Sequence, residues 1–240
     1  LSKSLSNSMI NDLVKALFSI PLRLLISLQK LYLELLKSLF GRERTFYFKS
    51  LSNKLKESNP IQVQHTSSLG EKVELYFDAS DALSELRGLT FSTKETETLR
   101  WIDENKHLGN LFDIGANVGI YSIYFAKQSK HDAVAFEPSA FNLPSLVRNI
   151  NLNNLSEKVT VFSSPLFSSN TISKFNLSDD TPAGAHNSFG VNHNSEGLKQ
   201  DWSIFYNTAG FSLDYLIENR ILPSVPSLIK IDVDGIEHLI

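Results

Sequence analysis

Residues 111–121 read LFDIGANVGIY: an apolar run, an acid at Asp113, glycines at Gly115 and Gly119, then apolar residues again. The pattern fits a buried strand that turns sharply into a helix, with Gly115 free of a Cβ where the backbone bends and approaches a ligand. Gly119 lets the helix pack closely on the sheet. Asn117 stands between the glycines, and asparagine accepts left-handed backbone angles better than most residues. A tight turn that binds nothing is the alternative, and the flanking chain decides between them.

Working outward, strands and helices alternate. Lys72–Phe77 (KVELYF) alternates as a strand does, and residues 93–105 read as a helix with acids in its first turn. After the strand at 111–114 come a helix over 118–130, a strand at 133–136, a helix over 140–152 and a strand at 159–162. This order predicts a Rossmann-like, doubly wound, mostly parallel sheet with helices on both faces. Residues 163–210, rich in Ser, Asn and Gly, break the rhythm and predict an irregular excursion or small hairpin. A helix over 213–219 then leads through Pro223 and Pro226 into a strand at 228–233.

The N-terminal part is different. Residues 10–40 are leucine-rich, with Arg23, Lys30, Glu34 and Lys37 spaced to form one polar stripe on a helix. These charges interrupt every apolar run before the roughly 18 residues that a membrane span needs. Pro21 starts a new helix or kinks the first. The apolar face is expected to pack on its own domain, on a second copy or on a membrane surface. Residues 41–70 read as a polar linker, so the division expected is a helical segment with linker over 1–70 and a catalytic domain over 71–240.

Composition narrows the functions. Of 240 residues 42% are hydrophobic, enough for a sizeable core, and the net charge of −3 argues against a nucleic-acid-binding surface. With no cysteine there are no disulfides, thiolate metal sites or cysteine nucleophile. No secretory signal precedes the sequons at Asn154 and Asn176, so they read as chance matches and the location expected is cytoplasmic, with membrane-peripheral attachment as the variant.

A second acid points to a nucleoside. Glu137 ends the strand AVAFEPS, 22 residues after Gly115, near the place where such folds hold a carboxylate for both hydroxyls of a ribose. A dinucleotide fingerprint would need glycine at 117 and glycine or alanine at 120, where Asn117 and Ile120 stand. A carboxylate at Asp113 would also repel a pyrophosphate but attract the ammonium and sulfonium of S-adenosylmethionine. The methyl donor is therefore favoured over a nicotinamide cofactor, leaving an oxidoreductase or a non-catalytic docking module as the competing readings.

Three blocks in order, FDIGANVGIYSIYFAK, AFEPSAFNLPSLVRNINLN and SLIKIDVDGIEHLI, resemble the FkbM-type methyltransferases, a class I S-adenosylmethionine-dependent group. The resemblance implies methylation, mostly of hydroxyl oxygens on sugars and natural products. It places Asp113, Gly115, Asn117 and Gly119 in the methionine-side loop, Glu137 on the ribose, and Pro138 and Ser139 at the adenine-side turn. It brings Asp232, Asp234 and Glu237 to the end of the fourth strand as the catalytic acids; the family more often has glutamate where Asp234 stands. The class I fold usually continues with a fifth strand and a hairpin. Leu1 and Ile240 thus suggest a piece of a longer chain, with a sheet incomplete on its C-terminal side.

Methyl transfer to a hydroxyl needs in-line attack and a route for the proton, which a carboxylate can take as general base. On an extended strand Asp232 and Asp234 share a face, so together they could hold an acceptor or a hard cation; no metal is assigned. The bland alternative for this cluster is capping of backbone amides. His186 and His193 lie in the excursion, which could fold over the site as an acceptor-binding lid, although loop histidines in a polar stretch are more often merely solvated; His238, next to Glu237, carries no assignment. Trp101, Tyr121 and Tyr124 are expected in the core.

Overall fold

The computed structural model describes residues 60–193 and 198–240, together with helical positions scattered from Leu24 to Ser38. The chain divides into two compact units, Leu1–Lys56 and Glu57–Ile240. In the first, Leu24, Leu28, Leu31, Tyr32 and Leu35 are helical and exposed. Pro21, Arg23 and Lys37, which carry the expected kink and half of the polar stripe, lie outside the described residues. No helix among the described residues is long and apolar enough to cross a membrane.

The second unit opens with an antiparallel hairpin of β1 (Ile61–Thr66) and β2 (Lys72–Phe77), paired from Ile61–Phe77 to Thr66–Lys72. The first of these strands falls in the stretch expected to be a polar linker. Gln62, Gln64 and Thr66 alternate with Ile61, Val63 and His65, so half of it packs while half stays wet. Next comes α1 (Ala82–Lys94), which the sequence reading misses. Asp81 caps it by accepting from the backbone amides of Leu83 and Ser84. Gly88 interrupts its pattern for a reason of packing: a Cβ there would lie 3.1 Å from the Cβ of Phe77. Glu95 breaks the chain before α2 (Thr96–Asn105), so the single helix expected from 93 is the second of two.

The central sheet agrees with the expected order. Strands β3 (Leu111–Ile114), β4 (Ala133–Phe136), β5 (Val159–Phe162) and β9 (Leu228–Ile231) lie in the order β5-β4-β3-β9, all parallel. Helices α3 (Ile120–Gln128) and α4 (Leu143–Leu152) connect the first three. The chain then returns to the far side of β3, so strand order reverses between β3 and β9. That switch point is where doubly wound folds hold ligands, outside the carboxyl ends of the strands.

Alternate strand residues feed two cores. Leu111, Ala133, Ala135, Val159 and Leu228 face the larger one, with Phe91, Leu99, Ile102, Ile123, Phe125, Leu146 and Ile150 from the helices. Phe112, Ile114, Val134 and Phe136 face the other, with Leu216 of α5 (Leu213–Glu218). The fold is Rossmann-like α/β. The excursion is more ordered than expected: β6 (Thr171–Leu177), β7 (Ser188–Phe189) and β8 (Ile204–Gly210) form a three-stranded antiparallel sheet in the order β7-β6-β8. It closes on Phe175, Leu177 and Phe189, with Phe141, Phe167 and Tyr206 against them.

Candidate active site

At the switch point, the turn after β3 is left-handed three times over: φ is +77° at Gly115, +53° at Asn117 and +81° at Gly119. A Cβ on Gly115 would lie 1.9 Å from the carbonyl oxygen of Asp232, so this glycine lets the ends of β3 and β9 come together. Gly119 serves a similar end, since a Cβ there would lie 2.3 Å from Leu146 Cδ1. What it admits is the neighbouring helix α4, not the sheet.

Asp113 is fully buried. Its Oδ2 accepts from the amide (3.1 Å) and hydroxyl (2.7 Å) of Ser122, and its Oδ1 lies 3.1 Å from Lys230 Nζ. Strand register causes the pairing, because Asp113 and Lys230 are direct partners between β3 and β9. Burial works against the lysine's charge, but Asp113 and Asp232 outweigh it and hold the ammonium above its ordinary range. The negative charge expected to attract a cationic ligand is therefore already met from within the protein.

Glu137 is buried but lines a cleft of about 580 Å³ together with Gly115, Asn117, Pro138, Asn142, Asp232 and others. Its Oε2 accepts the Asn117 amide at 2.7 Å; its Oε1 accepts the Ser139 amide at 2.8 Å and Asn142 Nδ2 at 3.3 Å. Burial pushes this carboxyl up to about 7 against the pull of those three donors, and the nearby Asp113 adds to the rise. Ser139 is buried and works through its amide, away from the cleft surface. Tyr206 of β8 fastens the same turn: its hydroxyl donates to the Pro138 carbonyl at 2.5 Å and accepts the Ala140 amide at 3.1 Å.

The acids after β9 separate into three environments. The strand ends at Ile231 and the backbone turns left-handed at Asp234 (φ +57°) and Gly235 (φ +98°), so Asp232 and Asp234 do not share a strand face. Asp232 is exposed, with Oδ2 3.7 Å from Lys230 Nζ. Asp234 Oδ2 accepts the backbone amide of His186 at 2.6 Å. Glu237 Oε1 accepts the amides of Gly235 (3.1 Å) and Val233 (3.4 Å). Burial pushes its carboxyl up, but these amides and its own outweigh that and hold it below the usual carboxylate range. Capping is what the structure shows for Glu237. Among the described residues, no three acids or histidines are grouped to hold a metal.

A second cleft of about 450 Å³ lies across the glycine turn, lined among others by Arg87, Lys94, Glu95, Tyr121, Lys230 and Asp232. Gly115, Asn117 and Asp232 line both clefts, so the two meet there. Residues 181–187 form a strap over the first. Arg87 donates to the Ala183 carbonyl from Nε (2.9 Å) and Nη2 (2.7 Å), and the Gly184 carbonyl accepts from Asn117 Nδ2 (2.7 Å) and Asn142 Nδ2 (3.2 Å). Part of the excursion thus does cover the cleft, held through its backbone carbonyls rather than its histidines. The His186 side chain is largely exposed, with Nδ1 3.6 Å from Asp234 Oδ1, and His193 lies away on an isolated bridge to Lys199.

Residues 113–240 match the methyltransferase FkbM domain. The chain belongs to the FkbM methyltransferase family. No curated protein matches it. Among solved structures, it is similar to a putative transferase, PH0793, from Pyrococcus horikoshii at 18% identity, covering 43% of this chain and 36% of that one with a TM-score of 0.30. It is similar also to the C-terminal domain of precorrin-6Y C5,15-methyltransferase from Rhodobacter capsulatus (21%, 38% and 44%, TM-score 0.26). A third is the hMettl16 catalytic domain in complex with the MAT2A 3'UTR hairpin 1 (17%, 50% and 46%, TM-score 0.30). The FkbM chain spans less than half the length of each.

Three site residues escape the sequence reading. Lys230 leaves a trace, a cation inside the apolar run LIKI beside a strand with a buried acid. Asn142 and Arg87 leave none, because each is placed by the strap at 183–184, far along the chain.

Proposed function

We propose that this FkbM domain serves an S-adenosylmethionine-dependent methyltransferase that methylates a hydroxyl oxygen on a sugar or similar small molecule. The observation that carries this reading is Glu137, a carboxylate placed by the glycine turn, with its Oε2 accepting one protein donor and a cleft in front of it. A vicinal diol suits it, because each hydroxyl can donate to the carboxylate. The second cleft fits the other end of the same molecule: Lys94 suits a carboxylate and Glu95 an ammonium, as an α-amino acid requires. When bound, the cofactor supplies a methyl group on a sulfonium, an electrophile that needs no metal ion to activate it.

The chain's own contribution to the chemistry falls to Asp232. It is exposed at the junction of the clefts, while Asp234 holds the strap and Glu237 caps a turn. A hydroxyl there would give its proton to the Asp232 carboxylate as its oxygen attacks.

Calorimetric titration with S-adenosylhomocysteine, with NADH and Glu137→Ala as controls, tests the cofactor. Micromolar binding that the variant loses is expected. Tight NADH binding by a folded chain that ignores S-adenosylhomocysteine would overturn the assignment.

A further inference from the structure

The strap does more than cover the cleft. The Gly184 carbonyl can only accept, so Asn117 and Asn142 must both turn their NH₂ groups toward it. Their Oδ1 atoms are thereby turned away, and both are buried with no hydrogen-bond partner within the protein. Both residues line the cleft beside Glu137. Buried acceptors without donors are costly and rare in folded proteins, so these two ask for a donor from outside. Asn142 also donates to Glu137 Oε1, which sets its amide against the same carboxylate.

The strap itself is held by Arg87. Ala183 is fully buried in a left-handed conformation (φ +61°), which a non-glycine residue keeps only when its surroundings enforce it. The forked pair of hydrogen bonds from Arg87 to its carbonyl supplies that constraint. Arg87 lies on α1, outside the residues that match the family.

We infer that Asn142 is a further cofactor-binding residue, whose Oδ1 accepts from a ribose hydroxyl, and that Arg87 is a positioning residue that orients it through the strap. This rests on the cleft being the nucleoside site.

The test is calorimetric titration of the full chain with S-adenosylhomocysteine and with its 2′-deoxy and 3′-deoxy analogues. The proteins are the wild type, Asn142→Ala, Arg87→Ala and the double variant, with folding checked by thermal melting. Asn142→Ala should weaken S-adenosylhomocysteine about tenfold, the worth of one hydrogen bond, and the loss should nearly vanish for one deoxy analogue. Arg87→Ala should weaken binding comparably, Arg87→Lys should restore part of it, and the double variant should bind little worse than Asn142→Ala alone. If Asn142→Ala does not fold, Asn142→Ser, which keeps an oxygen acceptor on a shorter arm, replaces it. An equal loss for all three ligands, or no loss, would overturn the role of Asn142. Additive losses would overturn that of Arg87. A folded wild type that binds none of the ligands would refute the nucleoside site itself and this inference with it.

Discussion

Two acid-bearing regions face each other across the switch point of the sheet and end in opposite states. Around the turn after β3, Asp113 and Glu137 are buried, and their charge is answered by Lys230, Ser122, backbone amides and Asn142. Around the turn after β9, Asp232 and Glu237 are exposed. Both turns use left-handed backbone to place a carboxylate. The difference lies in what surrounds it. A buried carboxylate held by several fixed donors keeps its geometry and suits binding, whereas an exposed one at the meeting of two clefts is free to take a proton.

The most demanding way to break this contrast is Asp232→Asn. The amide keeps the shape and cannot act as a base. Methyl transfer to any acceptor that the intact protein uses should fall by about 10²–10⁴-fold, while denaturant unfolding should change by less than about 0.5 kcal/mol, as for other surface sites. An active Asp232→Asn enzyme would move the chemistry elsewhere.

Lys230→Met makes the reverse case. It removes the cation from Asp113 and leaves a fully buried carboxylate without its counter-ion. Breaking one side of a buried pair costs about 3–5 kcal/mol. Chemical denaturation should report a loss of that order, and Asp113→Asn added to Lys230→Met should recover most of it. A loss under about 1 kcal/mol would mean that the pair is not the keystone of the turn.

Lys230 also shows what a sequence can and cannot reveal. The four parallel strands were legible because each is a short apolar run closed by turn residues, and the turn at Gly115 and Asn117 with Glu137 beside it was legible because all three lie within one strand–helix–strand run. Helix α1 was not, since Gly88 serves Phe77 on a different element, and β1 was not, since half of it stays polar. Register between β3 and β9 decides that Asp113 meets Lys230, and nothing local announces that register. The same holds for the roles of Asp234 and Glu237. Their motif is plain, but whether an acid caps an amide or faces a cleft depends on the left-handed turn at Asp234 and Gly235.

A pH titration sharpens the contrast with a smaller effect. Burial raises the Glu137 carboxyl from its ordinary 4.5 to about 7. Diol hydroxyls donate to the ionised form, so affinity for S-adenosylhomocysteine should level off above pH 7 and fall as pH drops below it. The fall should approach about tenfold per pH unit. Stability should run the other way. A raised folded value means that the contribution of Glu137 is complete below the unfolded value of 4.5 and is lost as pH rises through 7. Glu137→Gln should therefore flatten both profiles, and a wild-type binding curve flat from pH 5 to 8 would contradict the burial argument.

The smallest effect is expected from Glu237→Gln. Its Oε1 accepts two amides in the turn, and a glutamine Oε1 can accept both as well. Because the side chain is exposed, the change should cost no more than about 0.5 kcal/mol by denaturant unfolding. What it removes is charge. The amides hold the native carboxyl below its ordinary range, so its small contribution is present above that range and lost as pH falls through the lowered value. Methyl transfer should stay close to wild type. If Glu237→Gln instead loses as much activity as Asp232→Asn, the two acids act on the acceptor together, and Glu237 is a reacting acid as well as a capping one.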